Sequence, residues 1–109
     1  GIWSHNDEMI RGAVAALDQL GKNAKSGESG HVFIVGHDGT PLALQRIRDG
    51  IQDATVVYDA IEMGNLTADN MIAFFSGKSF PKDTIIKPFI ANAANVDDAS
   101  LWGNLPALN

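Results

Sequence analysis

"HVFIVGHDGTPLALQRIRDG", residues 31–50, decides how this chain folds. Its opening "HVFIVG" is a continuous apolar run carrying Val and Ile, the mark of a strand buried on both faces of a parallel sheet. Thr40-Pro41 then supplies a capping hydroxyl followed by proline at the first helical position, and the helical pattern runs on to Gly50. Between strand and helix stands His37-Asp38-Gly39, polar residues at the carboxyl end of an apolar strand. The same seam occurs at the start of the chain. "IWSHNDEM", residues 2–9, ends a short apolar run at His5-Asn6-Asp7-Glu8 and passes straight into a helix.

Working outward, apolar residues fall at helical spacing from Met9 and Ile10 to Leu17 and Leu20. Asn6 or Asp7 serves as the cap of that helix, and Gly21 sits where a C-terminal glycine belongs. "KNAKSGESG" is a polar loop. "ATVVY", residues 54–58, is a third strand. "AIEMGNLTADNMIAFFSG" is helical, with an irregular turn at Gly64 and Thr67 capping a second segment. "TIIKPFIA", residues 84–91, is a fourth strand, and Pro88 confines it to an edge or a crossing position. The tail reads as a loop with one helical turn. The fold class is therefore α/β, a partial parallel sheet with flanking helices in the order β-α-β-α-β-α-β, with right-handed crossovers.

The bulk numbers narrow the function. The chain has 109 residues, 45% hydrophobic and 19% charged, with a net charge of −5. Its eight basic residues are scattered, so no nucleic-acid partner is expected. Having no cysteine, it has neither disulfides nor thiolate chemistry. No apolar stretch approaches the roughly 18 residues that span a bilayer. No leader-like segment is visible, and a chain starting mid-strand without Met reads as a processed or truncated piece. There is no GxSxG elbow, Walker loop or GxGxxG, and "GESG" lies at the wrong end of the sheet for a nucleophile. The reading is of a protein that is not an enzyme and uses no cofactor.

Ligands of open parallel sheets bind beyond the carboxyl ends of the strands, where helix N-termini also point. Three such ends carry His5-Asn6-Asp7, His37-Asp38-Gly39 and Tyr58-Asp59. An amide that donates and accepts, beside a carboxylate that accepts twice, suits vicinal hydroxyls, so a polyol pocket is expected. Taken singly, Asn6 or Asp7 is explained by capping alone, and Asp38-Gly39 is a good turn. Recurrence at one sheet edge lifts the pair above that. His5, His37, Asp7 and Asp38 could in principle gather around zinc, but no tight ligand spacing supports a metal. Trp3 is expected in the core, His31 exposed at the far end of its strand, and Asp97-Asp98 solvated. Trp102 stands open as a ring that could stack on a sugar.

"HNDEMIRGAVAALDQLGK", "VFIVGHDGTPLALQRIRDG" and "ATVVYDAIEMG" together resemble the ribose-binding-protein-like family, the type I periplasmic binding proteins of ABC sugar importers. The family pattern is N-D-x-M-A-x-G-A, then G-x-D-G-T, then G-x-x-x-A-T-V-x-Q, and about the first 65 residues follow it closely. The resemblance implies a sugar-contacting amide at Asn6 and a hydroxyl-gripping carboxylate at Asp38. Tyr58 falls where many members carry a Gln, which points to a pentose, hexose or sugar alcohol other than ribose. It also implies an ABC transporter permease as partner and a periplasmic or extracytoplasmic location. Residues 1–59 would form the βαβαβ portion of the C-terminal lobe. Residues 60–83 would be a helical segment belonging to the N-terminal lobe, and 84–109 the hinge-crossing return strand and tail. The helix of Met71, Phe74 and Phe75 then lacks its cover, so either different packing or a homodimer of the fragment by exchange is expected. The effector domain of a LacI-type repressor shares this fold and is the alternative. The extended tail "NVDDASLWGN" favours the transport protein.

Overall fold

Strand β2 (Ile34–Asp38) lies between β1 (Ile2–Trp3) and β3 (Ala54–Val57) in a sheet ordered β1-β2-β3-β4, with β4 at Phe89–Asn92. The computed structural model describes residues 1–106, and the last three residues of the tail lie outside the described part. Helix α1 (Asp7–Gln19) joins β1 to β2, and α2 (Pro41–Arg48) joins β2 to β3. Helix α3 (Ala60–Phe75) follows β3, and a 3-10 turn at Trp102–Asn104 closes the described tail. The α/β class and the element order are as the sequence implies. The three strands β1, β2 and β3 are parallel, so their carboxyl ends share one edge.

Helix boundaries follow local chemistry. Asn6 caps α1, its side chain accepting from Met9 N at 2.8 Å. At the other end Gly21 adopts φ 64°, which lets Lys22 N reach Leu17 O and Gly21 N reach Asp18 O. Thr40 caps α2 by accepting from Ala43 N, with Pro41 opening the helix. Asp59 caps α3, accepting from Ile61 N and Glu62 N.

Four sequence expectations are corrected. The sheet is mixed, because β4 runs antiparallel to β3. Strand β4 is also shorter than the expected 84–91: Pro88 has no N–H to offer a ladder, and pairing begins only at Phe89. Helix α3 is one segment rather than two, since Thr67 Oγ1 donates back to Met63 O at 2.8 Å instead of capping a new start. Trp3 is not core; it is 63% exposed. It shares the sheet face of Phe33, Val35, Val56 and Ile90, which no described element covers.

The core occupies the other face. Leu44 and Ile47 of α2 pack with Val57, Ala91 and the tail residues Val96 and Leu101. Ile10 of α1 and Ile34 of β2 are likewise buried. Helix α3 contributes no buried residue, and Phe74 and Phe75 stand exposed. The radius of gyration is accordingly 17.2 Å, against about 13 Å for a compact chain of this length. The principal extents of 59 × 25 × 23 Å show the same elongation.

Candidate functional site

The carboxylate of Asp7, fully buried at the first turn of α1, organises the carboxyl edge of the sheet. Its Oδ2 accepts from Gly39 N at 2.9 Å and Thr40 N at 3.0 Å. Its Oδ1 accepts from Thr55 Oγ1 at 2.9 Å and Gln52 Nε2 at 3.3 Å. Arg46, itself buried, donates to the Asp7 backbone oxygen at 2.9 Å. Burial pushes the Arg46 guanidinium below its usual value, and the charges of Asp7 and Glu8 oppose that shift. Gly36 makes room for this cluster, since a methyl group there would collide with Asp7 Oδ1 and crowd Gln52 Nε2. One carboxylate thus ties the β1–α1 seam to the β2–α2 seam and to β3.

That clamp places Asn6 and Asp38 on adjoining turns. Asp38 has φ 112°, the one non-glycine residue with positive φ among the described residues, and Gly39 follows at φ 77°. Such a backbone costs a side-chain-bearing residue on the order of 1–3 kcal/mol and persists where surrounding bonds over-determine it. Asp7 holds the following two N–H groups on one side. On the other, Trp102 Nε1 donates to Asp38 O at 2.9 Å. The Asp38 side chain is 44% exposed, and its Oδ1 lies 3.1 Å from His37 Nδ1. The His37 ring packs on the Tyr58 ring, with centroids 5.0 Å apart. Asp38, His37 and Tyr58 therefore form one contiguous set.

Asn6 stands apart from that set. Its Oδ1 is occupied in capping α1, so a ligand would meet chiefly the amide nitrogen with its two donors. Beside it, His5 packs on Trp3 with centroids 4.7 Å apart. The zinc set of His5, His37, Asp7 and Asp38 is not assembled: Asp7 is taken up by protein donors, and among the described residues no such group gathers.

The roles of two residues, Asp7 and Trp102, escaped the sequence reading. Asp7 was legible as a cap or a candidate metal ligand but not as a buried clamp, although Gly36 inside an apolar strand is a signal that another group approaches closely. The bond from Trp102 to residue 38 spans 64 positions and has no local sign. His31 is also corrected. It is not exposed: Nδ1 faces Ala24 O at 2.8 Å and Nε2 faces the Asp53 carboxylate at 2.9 Å. Asp97 is solvated as expected yet still pairs with Arg48 at 2.7 Å. A hollow of about 180 Å³ lined by Val14, Leu17, His31 and Ile34 opens at the opposite edge of the sheet, away from Asn6, Asp38 and Tyr58.

Residues 1–79 match the model of the periplasmic binding protein domain family. The chain belongs to that family. Among its relatives, the fructose import binding protein FruE of Bifidobacterium longum is 35% identical over 98 residues, 90% of this chain and 28% of that protein. The ribose import binding protein RbsB of Bacillus subtilis is 32% identical over 87 residues, 80% of this chain and 26% of that protein. The Caulobacter myo-inositol binding protein, solved with myo-inositol bound, superposes with a TM-score of 0.74 at 28% identity. That match covers 95% of this chain and 33% of that one. This periplasmic binding protein chain thus spans about a quarter to a third of the relatives it matches. The family is one of binding proteins for transport rather than enzymes.

Proposed function

We propose that the protein is the solute-binding component of an ABC importer, working outside the cytoplasm with a membrane permease and taking a monosaccharide or sugar alcohol. The observation that carries this reading is the carboxyl edge of β1, β2 and β3. There Asp38 is held at φ 112° with its carboxylate half exposed, beside His37 and Tyr58. A binding protein gains from such pre-organisation because the ordering cost is met before the ligand arrives. In this reading Asp38 accepts from adjacent hydroxyls, the Asn6 amide donates to a sugar oxygen, and the Tyr58 ring lines the wall. Residues 1–59 serve as part of the C-terminal lobe, 60–83 pack on the other lobe, and 84–109 cross back through the hinge. The apolar, uncovered face of α3 supports that assignment. Relatives named for fructose and ribose import and for myo-inositol support importer over repressor.

Melting the full-length protein with fructose, ribose, allose and myo-inositol tests this. A true ligand at 100 times its Kd stabilises by about 2.7 kcal/mol, a shift of several degrees. Asp38→Ala is expected to weaken that ligand about tenfold or more, because hydrogen bonds to a charged group are lost. A panel in which no sugar or polyol moves the midpoint would end the proposal.

A further inference from the structure

The Trp102 side chain ties the tail to the binding edge. Leu101 is buried in the core, and Trp102 packs against the same cluster while its indole N–H donates to Asp38 O at 2.9 Å. Gly103 runs so close to the next turn that a Cβ there would collide with Gly39 O and crowd Leu44 and Pro41. Asn104 then anchors the strap. Its side chain accepts from Arg48 Nη2 at 2.7 Å and donates to Val96 O and Asp98 O at 2.8 Å. Arg48 also reaches Asp97 at 2.7 Å and Val96 O at 3.0 Å. The tail therefore forms a latched strap whose indole and glycine bear on residues 38 and 39.

Asp38 needs such a support. Its φ of 112° lies where a side-chain-bearing residue does not rest unaided. Asp7 fixes the N–H groups that follow it, and the Trp102 indole donates to the Asp38 carbonyl. From these contacts we infer that Trp102 is a positioning residue for ligand binding: it acts through the backbone of Asp38 to hold the carboxylate in its binding orientation, and does not stack on the sugar. The inference rests on the sugar-binding reading above and goes further, because it makes affinity depend on a tail residue on the core side of the turn.

Titrating fructose, ribose and allose into the full-length protein and its variants by calorimetry tests it. Trp102→Phe keeps a ring and removes the donor. Loss of one hydrogen bond predicts an affinity about three- to tenfold lower. In an Asp38→Ala background the same change should cost less than about twofold, since the side chain it orients is gone. Asn104→Ala loosens the strap at a half-buried anchor without touching residue 38, and should weaken binding in the same direction. The inference fails if Trp102→Phe and Asn104→Ala both bind like the wild type. It fails equally if Trp102→Phe costs as much in the Asp38→Ala background, which would mark Trp102 as a general packing residue or a direct contact. A wild-type protein that binds none of the sugars overturns the functional reading itself, and this inference with it.

Discussion

Replacing Asp7 by alanine should cost far more than its place at a helix start suggests. A carboxylate in the first turn that acts only on the helix dipole contributes about 0.3–1 kcal/mol. Here the side chain is fully buried and accepts from Gly39 N, Thr40 N, Thr55 Oγ1 and Gln52 Nε2. Gln52 Nε2 would keep Ala54 O, and Gly39 N would keep a long 3.3 Å contact with Thr55 Oγ1. Thr40 N and the buried Thr55 hydroxyl would lose their acceptor outright. Stranding these two donors at about 1–3 kcal/mol each puts the loss for Asp7→Ala at about 2–6 kcal/mol. Asp7→Asn retains one acceptor for the backbone N–H groups but turns an amide N–H₂ toward Gln52 Nε2, donor against donor, and should fall between the two. Urea unfolding of the full-length protein reads this as a drop in midpoint at unchanged slope. An Asp7→Ala protein within about 1 kcal/mol of the wild type would refute the clamp and leave only the dipole.

Two further outcomes follow from other parts of the molecule. Both nitrogens of His31 face acceptors, Ala24 O and the Asp53 carboxylate, with Glu28 adding negative charge nearby, so its pKa is raised above 6.5. For Asp53, burial works against ionisation, but bonds from Ile34 N, His31 and Ser26 outweigh it and its pKa is lowered below 3.8. The stabilisation from His31 is complete below 6.5 and is lost as pH rises through the raised folded-state value. That from Asp53 is complete above 3.8 and is lost as pH falls through the lowered one. Comparing melting of wild type and His31→Gln, the gap should narrow as pH rises above 6.5; a constant gap would show that folding does not shift the His31 pKa. Separately, the isolated 109-residue chain exposes Phe74 and Phe75 on α3 and Trp3, Phe33 and Ile90 on the sheet. Apolar surface of that extent is expected to drive pairing of two copies by exchange, read as a dimer in sedimentation. A monodisperse monomer at all concentrations would count against it.

Much of this architecture was written locally. Thr40-Pro41, Asn6 and Gly21 mark helix ends because a cap is satisfied within three or four residues. The apolar run through Ile34 and Val35 implies a strand, although only its Ile34 face is covered and the expected burial on both faces is half met. The polar seams at Asn6, Asp38 and Tyr58 are readable because parallel topology delivers the carboxyl ends of β1, β2 and β3 to one edge. Thr67 misled, since a hydroxyl in mid-helix and a hydroxyl at a cap look alike until the backbone oxygen it bonds is known.

Only the folded chain decided what holds that edge in place. Whether Asp7 is a surface cap or a buried acceptor depends on Gly36, Gly39 and Thr55 arriving around it from residues 29, 32 and 48 positions away. The antiparallel return of β4 and the indole bond to Asp38 depend likewise on long-range closure. Periodicity and capping are short-range consequences of backbone geometry and can be read along the chain. Hydrogen-bond partners drawn from distant strands are set by packing, and residue order alone does not contain them.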